Sequence, residues 1–155
     1  MKTDDVLKYF AEAIKLELNV AELYLLFSQT FPEDRQFWWK LSWEENNHAS
    51  LIESEKMFYK VNAFPDELFS VDIEELVKIN DSFILIMEHF KSNPIKETAF
   101  KIALELENSA IELHYQMLAE STTNSRAINL FKELNGLDKD HAKRIKELAS
   151  FYFLR

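Results

Sequence analysis

Two short spacings in this chain pair a carboxylate with an imidazole: Glu45-x-x-His48 and Asp138-x-x-His141. Residues three apart on an α-helix share a face, so each pair can offer one oxygen and one nitrogen to a single cation. A glutamate stands upstream of each pair on a separate predicted helix, Glu17 before the first and Glu107 before the second. These two can bridge between cations or chelate one. Mixed carboxylate and imidazole donors suit iron or manganese, and zinc is compatible with the same set. Neither pair is specific alone. With 27 acids among 155 residues, a histidine has an acid three positions before it about one time in six. The other two histidines have none: Ile86 holds that position for His89, and Ile111 for His114.

Specificity comes from the elements that must position these residues. The sequence predicts five helices, over about 3–30, 33–62, 70–93, 94–120 and 125–153. Pro32 and Pro65 fall in breaks, Ser70 or Asp72 can cap the middle helix, and Pro94 suits the first turn of the fourth. Ser121 to Ser125 form a polar break before the fifth. Alternate steps of three and four trace one buried seam per long helix. The first reads Phe10, Ile14, Glu17, Ala21, Tyr24, Ser28, and the second reads Trp38, Leu41, Glu45, His48, Ile52, Glu55, Tyr59. Moved on by 90 residues, the first becomes Phe100, Leu104, Glu107, Ile111, His114, Leu118. Moved on by 93, the second becomes Phe131, Leu134, Asp138, His141, Ile145, Leu148, Tyr152.

The two halves thus repeat their polar intruders as well as their apolar positions. An unpartnered buried charge is very costly, so something inside must neutralise these acids. One glutamate on each of two helices, with an acid-x-x-His on each of two others, is the ligand plan of di-iron and di-manganese carboxylate bundles. The expectation is an all-α chain with a single domain over residues 1–155, a four-helix bundle of two helical hairpins with an additional middle, or crossover, helix. Two metal ions would sit in its interior, with affinity falling as pH drops through the histidine range near about 6.5.

Composition agrees. One glycine and three prolines are too few for the turns of a sheet protein of this length. The absence of cysteine excludes disulfides and iron–sulfur clusters. A formal net charge of −9 makes nucleic acid an unsuitable partner. Four ligand carboxylates account for −4 of it, which two divalent cations would return. No apolar run approaches the roughly 20 residues of a membrane span, and the first residues lack a signal-peptide pattern. The expected compartment is cytoplasmic.

Ala13-Ile14-Lys15-Leu16-Glu17, Tyr24, and Leu41-Ser42-Trp43-Glu44-Glu45-Asn46-Asn47-His48 together resemble the first half of a rubrerythrin-type domain, and Ala103-Leu104-Glu105-Leu106-Glu107 restarts the pattern. The resemblance is least clear across residues 60–93. It implies a ferritin-like bundle with a di-iron centre ligated by Glu17, Glu45, His48, Glu107, Asp138 and His141. It also implies oxidoreductase reactivity toward hydrogen peroxide or oxygen. The alternative is a non-catalytic bundle that binds or buffers metal. Asp138 stands where the family has Glu; it is one methylene shorter, so the metal position near Asp138 and His141 is expected to be looser. Ala110 replaces an additional glutamate of the third ligand helix. A rubredoxin-like tail is absent, so electrons would come from an external donor.

Tyr24 could orient a ligand carboxylate or be a core tyrosine. His114, its counterpart in the second half, could be an orienting donor, an extra ligand, or a core or edge histidine. Trp38, Trp39 and Trp43 point in different directions around one helix, which places at least one at a subunit contact, with a homodimer as the expected assembly. Gly136, inside the last helix, is expected at a close helix contact or a local distortion. Glu44, Glu53, Glu105, Glu112, Asp140 and Glu147 read as a solvated face.

Overall fold

The structure, a computed structural model, describes the backbone of residues 3–61, 73–119 and 126–153 and the side chains of 4–60, 73–113, 126 and 128–153. All the described secondary structure is helical: α1 (Thr3–Thr30), a 3-10 turn (Pro32–Asp34), α2 (Arg35–Val61), α3 (Ile73–Ser92), α4 (Lys96–Ala119) and α5 (Arg126–Phe153). The expected caps Ser70 and Asp72 and the break Ser121 to Ser125 lie outside the described residues. None of the described helices is long and apolar enough to cross a membrane.

Proline sets two of the helix ends. Phe31 N–H closes α1 on Phe27 O at 2.9 Å, after which Pro32 has no N–H to continue the ladder. Pro94 was expected inside the first turn of α4 but precedes it. Ile95 N–H bonds back to Asn93 O at 2.9 Å, and the Ile95 carbonyl accepts the first bond of α4 from Ala99 at 3.1 Å. A proline disfavours helical backbone in the residue before it, so Asn93 ends α3 and the chain turns within three residues.

α1 and α2 form one antiparallel hairpin and α4 and α5 the other, and they face each other with α2 beside α5. α3 lies along α1. Its buried Asn80 donates to Glu12 O at 2.9 Å and to Glu12 Oε2 at 2.8 Å, and accepts from Asn19 Nδ2 at 3.2 Å.

The core is stacked in layers along the bundle. One aromatic layer gathers Tyr9, Phe10, Tyr59 and Phe131, with ring centroids 5.8–6.3 Å apart. Another gathers Tyr24, Phe27, Trp38 and Phe100, at 5.0–6.2 Å. The second lies near one end of the bundle, where Lys96 Nζ reaches Glu33 (2.8 Å) and Asp34 (3.0 Å) and sits 3.7 Å above the Tyr152 ring. Tyr152 OH donates to Asp34 Oδ1 at 2.6 Å. This ties the α1–α2 link to the start of α4 and the end of α5.

Gly136 is neither at a close helix contact nor at a distortion. It is exposed, its φ is not positive, and a Cβ built there would meet no atom within 4 Å. Nothing in the structure explains a glycine here. Gly136→Ala should therefore stabilise the protein by roughly 0.5–1 kcal/mol, through helix propensity alone. A denaturant midpoint that falls in this variant would contradict the placement of Gly136 on an open helical face.

Candidate metal centre

Between the two aromatic layers lies a polar one. Glu17 comes from α1, Glu45 and His48 from α2, Glu107 from α4, and Asp138 and His141 from α5. All six are at most 3% exposed. Seams of period 3.6 on antiparallel helices bring the midpoints of four helices to one depth, so ligands separated by up to 124 residues (from Glu17 to His141) converge. Candidate ligand atoms of Glu45, His48, Asp138 and His141 all lie within 4.8 Å of one another, close enough to hold a metal ion.

The pairing differs from what spacing alone indicates. Each acid-x-x-His pair was expected to serve its own cation. Instead Glu45 spans both histidines: its Oε2 is 3.1 Å from His48 Nδ1 and its Oε1 is 2.8 Å from His141 Nδ1. Asp138 Oδ1 lies 4.0 Å from His48 Nδ1. Glu17 Oε2 lies 3.7 Å from His48 Nδ1 and Glu107 Oε1 3.4 Å from His141 Nδ1. Glu17 with His48 and Glu107 with His141 therefore form two ends, and Glu45 lies between them. The imidazole rings stack 5.2 Å apart at 12°.

Tyr24 touches the cluster directly. Its hydroxyl donates to Glu107 Oε1 at 2.5 Å, across from α1 to α4. Burial first, and then the charges of Glu107 and Glu45, hold its pKa well above the ordinary value. Tyr9, fully buried on the other side, is raised by burial and by the charge of Glu17. The side chain of His114 lies outside the described residues. Trp38 is buried, whereas Trp39 and Trp43 are 55% and 54% exposed. Glu55, a further buried acid of the α2 seam, is paired with Arg126 of α5 at 2.9 Å and stands apart from the cluster.

One residue expected on the solvated face, Glu44, departs from it. Glu44 is half-buried, with Oε2 3.4 Å from His141 Nε2, and Asp140 binds Arg144 Nε at 3.0 Å. Arg144 also donates to Glu44 at 2.7 Å. A signal for Glu44 was present in its place beside Glu45. Neighbours on a helix are a quarter-turn apart, so one faces the bundle centre and the next the flanking helix. Asp140 itself remains exposed. An apolar cleft of about 740 Å³ between α3 and α4, lined by Ile79, Leu85, Ile86, Ile102 and Leu106 among others, touches none of the six.

Compared with protein-family models, curated proteins and solved structures, the chain matches none.

Burial lowers the His48 and His141 pKa values, but the surrounding carboxylates outweigh it. Glu17 and Glu45 bring His48 to about 11, and Glu107 and Glu45 bring His141 to about 10. Burial raises Glu107 as well. Without metal, protons on the two imidazoles thus offset part of the negative charge. A cation must displace them, so metal affinity should fall with every step down in pH from about 10 rather than only below the ordinary 6.5. The same shifts act on folding. A group raised on folding lends stability that is complete below its unfolded pKa and lost as pH climbs through its folded one. The metal-free protein should therefore melt at lower temperature as pH climbs from 6.5 toward 10. A melting temperature that is flat or rising over that window would show that the imidazoles are neutral without metal.

Proposed function

We propose that the cluster holds two iron ions in a ferritin-like, rubrerythrin-type bundle and that the protein is an oxidoreductase acting on hydrogen peroxide or oxygen. The observation that carries this reading is Glu45, whose two oxygens reach the two histidines at 3.1 and 2.8 Å. A carboxylate so placed is positioned to span two cations, each of which also has its own glutamate and imidazole. The donor set fits iron: four carboxylate side chains supply hard anionic oxygens and two imidazoles supply nitrogen. Manganese or zinc would accept the same donors. Two ferrous ions would supply one electron each to a two-electron reduction.

The rest is the work of the chain itself. Glu17 with His48, and Glu107 with His141, bind at the two ends, while Glu45 and Asp138 lie between. Tyr24 orients the Glu107 carboxylate through its hydroxyl. The aromatic layers exclude bulk water from either side. With no cysteine in the chain, reducing equivalents come from an external donor. The half-exposed Trp39 and Trp43, one turn apart on α2, support self-association as a homodimer. A second reading, metal binding or buffering without catalysis, draws on Ala110, which leaves that position of α4 without a further carboxylate.

The test is elemental analysis after anaerobic iron reconstitution. Two ions per chain are expected, falling to one or none in Glu45→Ala. Wild-type protein that retains no metal would overturn the proposal. Peroxide consumption by the iron-loaded protein then separates catalysis from buffering.

A further inference from the structure

The repeat that relates Glu45 to Asp138 and His48 to His141 breaks one residue away from the ligands. At the same offset of 93, Glu44 corresponds to Leu137 and Arg144 to Leu51. The two imidazoles consequently have different surroundings. His141 turns Nδ1 toward Glu45 and Glu107 and presents Nε2 to Glu44, 3.4 Å away. Arg144 holds that same Glu44 oxygen at 2.7 Å and is itself braced by Asp140 at 3.0 Å. His48 turns Nδ1 toward Glu17, Glu45 and Asp138, and among the described residues no carboxylate faces its Nε2.

A carboxylate on the outer nitrogen of an imidazole holds the proton there. The inner nitrogen then keeps its lone pair directed at the cation, and the ring becomes a more basic ligand. Of the two cluster imidazoles, His141 alone has this arrangement among the described residues. Its glutamate neighbour is also the one that Tyr24 bonds. Asp138, one methylene shorter than a glutamate, comes no nearer to His48 than 4.0 Å.

Resting on the reading that the cluster takes two metal ions, we propose that they bind in a fixed order. The position of His141 and Glu107 fills first and more tightly, and the position of His48 and Glu17 fills second. Glu44, braced by Arg144, is the positioning residue that sets this order.

The experiment is an anaerobic titration of metal-free, full-length protein with Co(II), followed by visible absorption. Wild type should show two steps at least about tenfold apart in affinity. His48→Ala should retain the tighter step, and His141→Ala the weaker. Glu44→Leu installs what the repeat carries at 137 and should weaken the tighter step by roughly 10- to 100-fold while leaving the weaker unchanged. Glu44→Gln keeps an oxygen acceptor and should lose less; it stands in if the leucine variant fails to fold by circular dichroism. Nitrogen-15 NMR of the Zn(II)-loaded protein adds a readout that packing alone would not move. The His141 Nε2 proton should exchange slowly with water in wild type and fast in the Glu44 variant. Equal weakening of both steps, no effect on either, or an unchanged His141 proton would overturn the proposal. Absence of any Co(II) uptake by wild type would instead overturn the metal reading on which it rests.

Discussion

Four carboxylates buried at one depth of a helical bundle repel one another, and the remainder of the structure answers to that repulsion. Two unit charges 4 Å apart interact by about 4 kcal/mol at an effective dielectric of about 20. Glu17, Glu45, Glu107 and Asp138 form such a group with at most 3% exposure, so solvent cannot relieve them. Opposite charge must be supplied from within. Protonated His48 and His141 supply part of it, and cations would supply the rest. The aromatic layers on either side raise the stakes, because they remove the water that would otherwise screen the acids.

The same helix shows that a buried acid is not a sufficient sign of a metal. Glu55 lies three turns beyond Glu45 on the α2 seam and is equally enclosed, yet it is matched by Arg126 at 2.9 Å, whose guanidinium also covers the Phe58 ring at 4.3 Å. What distinguishes the central cluster is convergence. Its anionic groups come from four helices and meet around two imidazoles.

Much of this was legible in the sequence because helices are periodic. Steps of three and four identified the seams, and all six cluster residues are buried where those steps put them. The end of α1 followed from Pro32, and the start of α4 lies two residues beyond Pro94 because a proline constrains the residue before it. Periodicity says which face a residue occupies but not which partner it meets across the core. Glu45 was therefore assigned to His48 alone, when it also reaches His141, and Glu44 was read as solvated, when it reaches around to the α5 side. Gly136 misled for another reason: a rare residue invites a structural explanation, and its open surroundings offer none.

The attachment of α3 bears on how the bundle can deform. A helix held to its neighbour only by apolar side chains can slide along it by a turn at modest cost, since one row of methyl groups resembles the next. Asn80 removes that freedom. Its amide is bonded at once to the backbone and the side chain of Glu12 and to Asn19, and each of these bonds is directional. A slip of one turn, about 5.4 Å, would break all three and leave a buried amide without partners. α3 is thus fixed in register against α1.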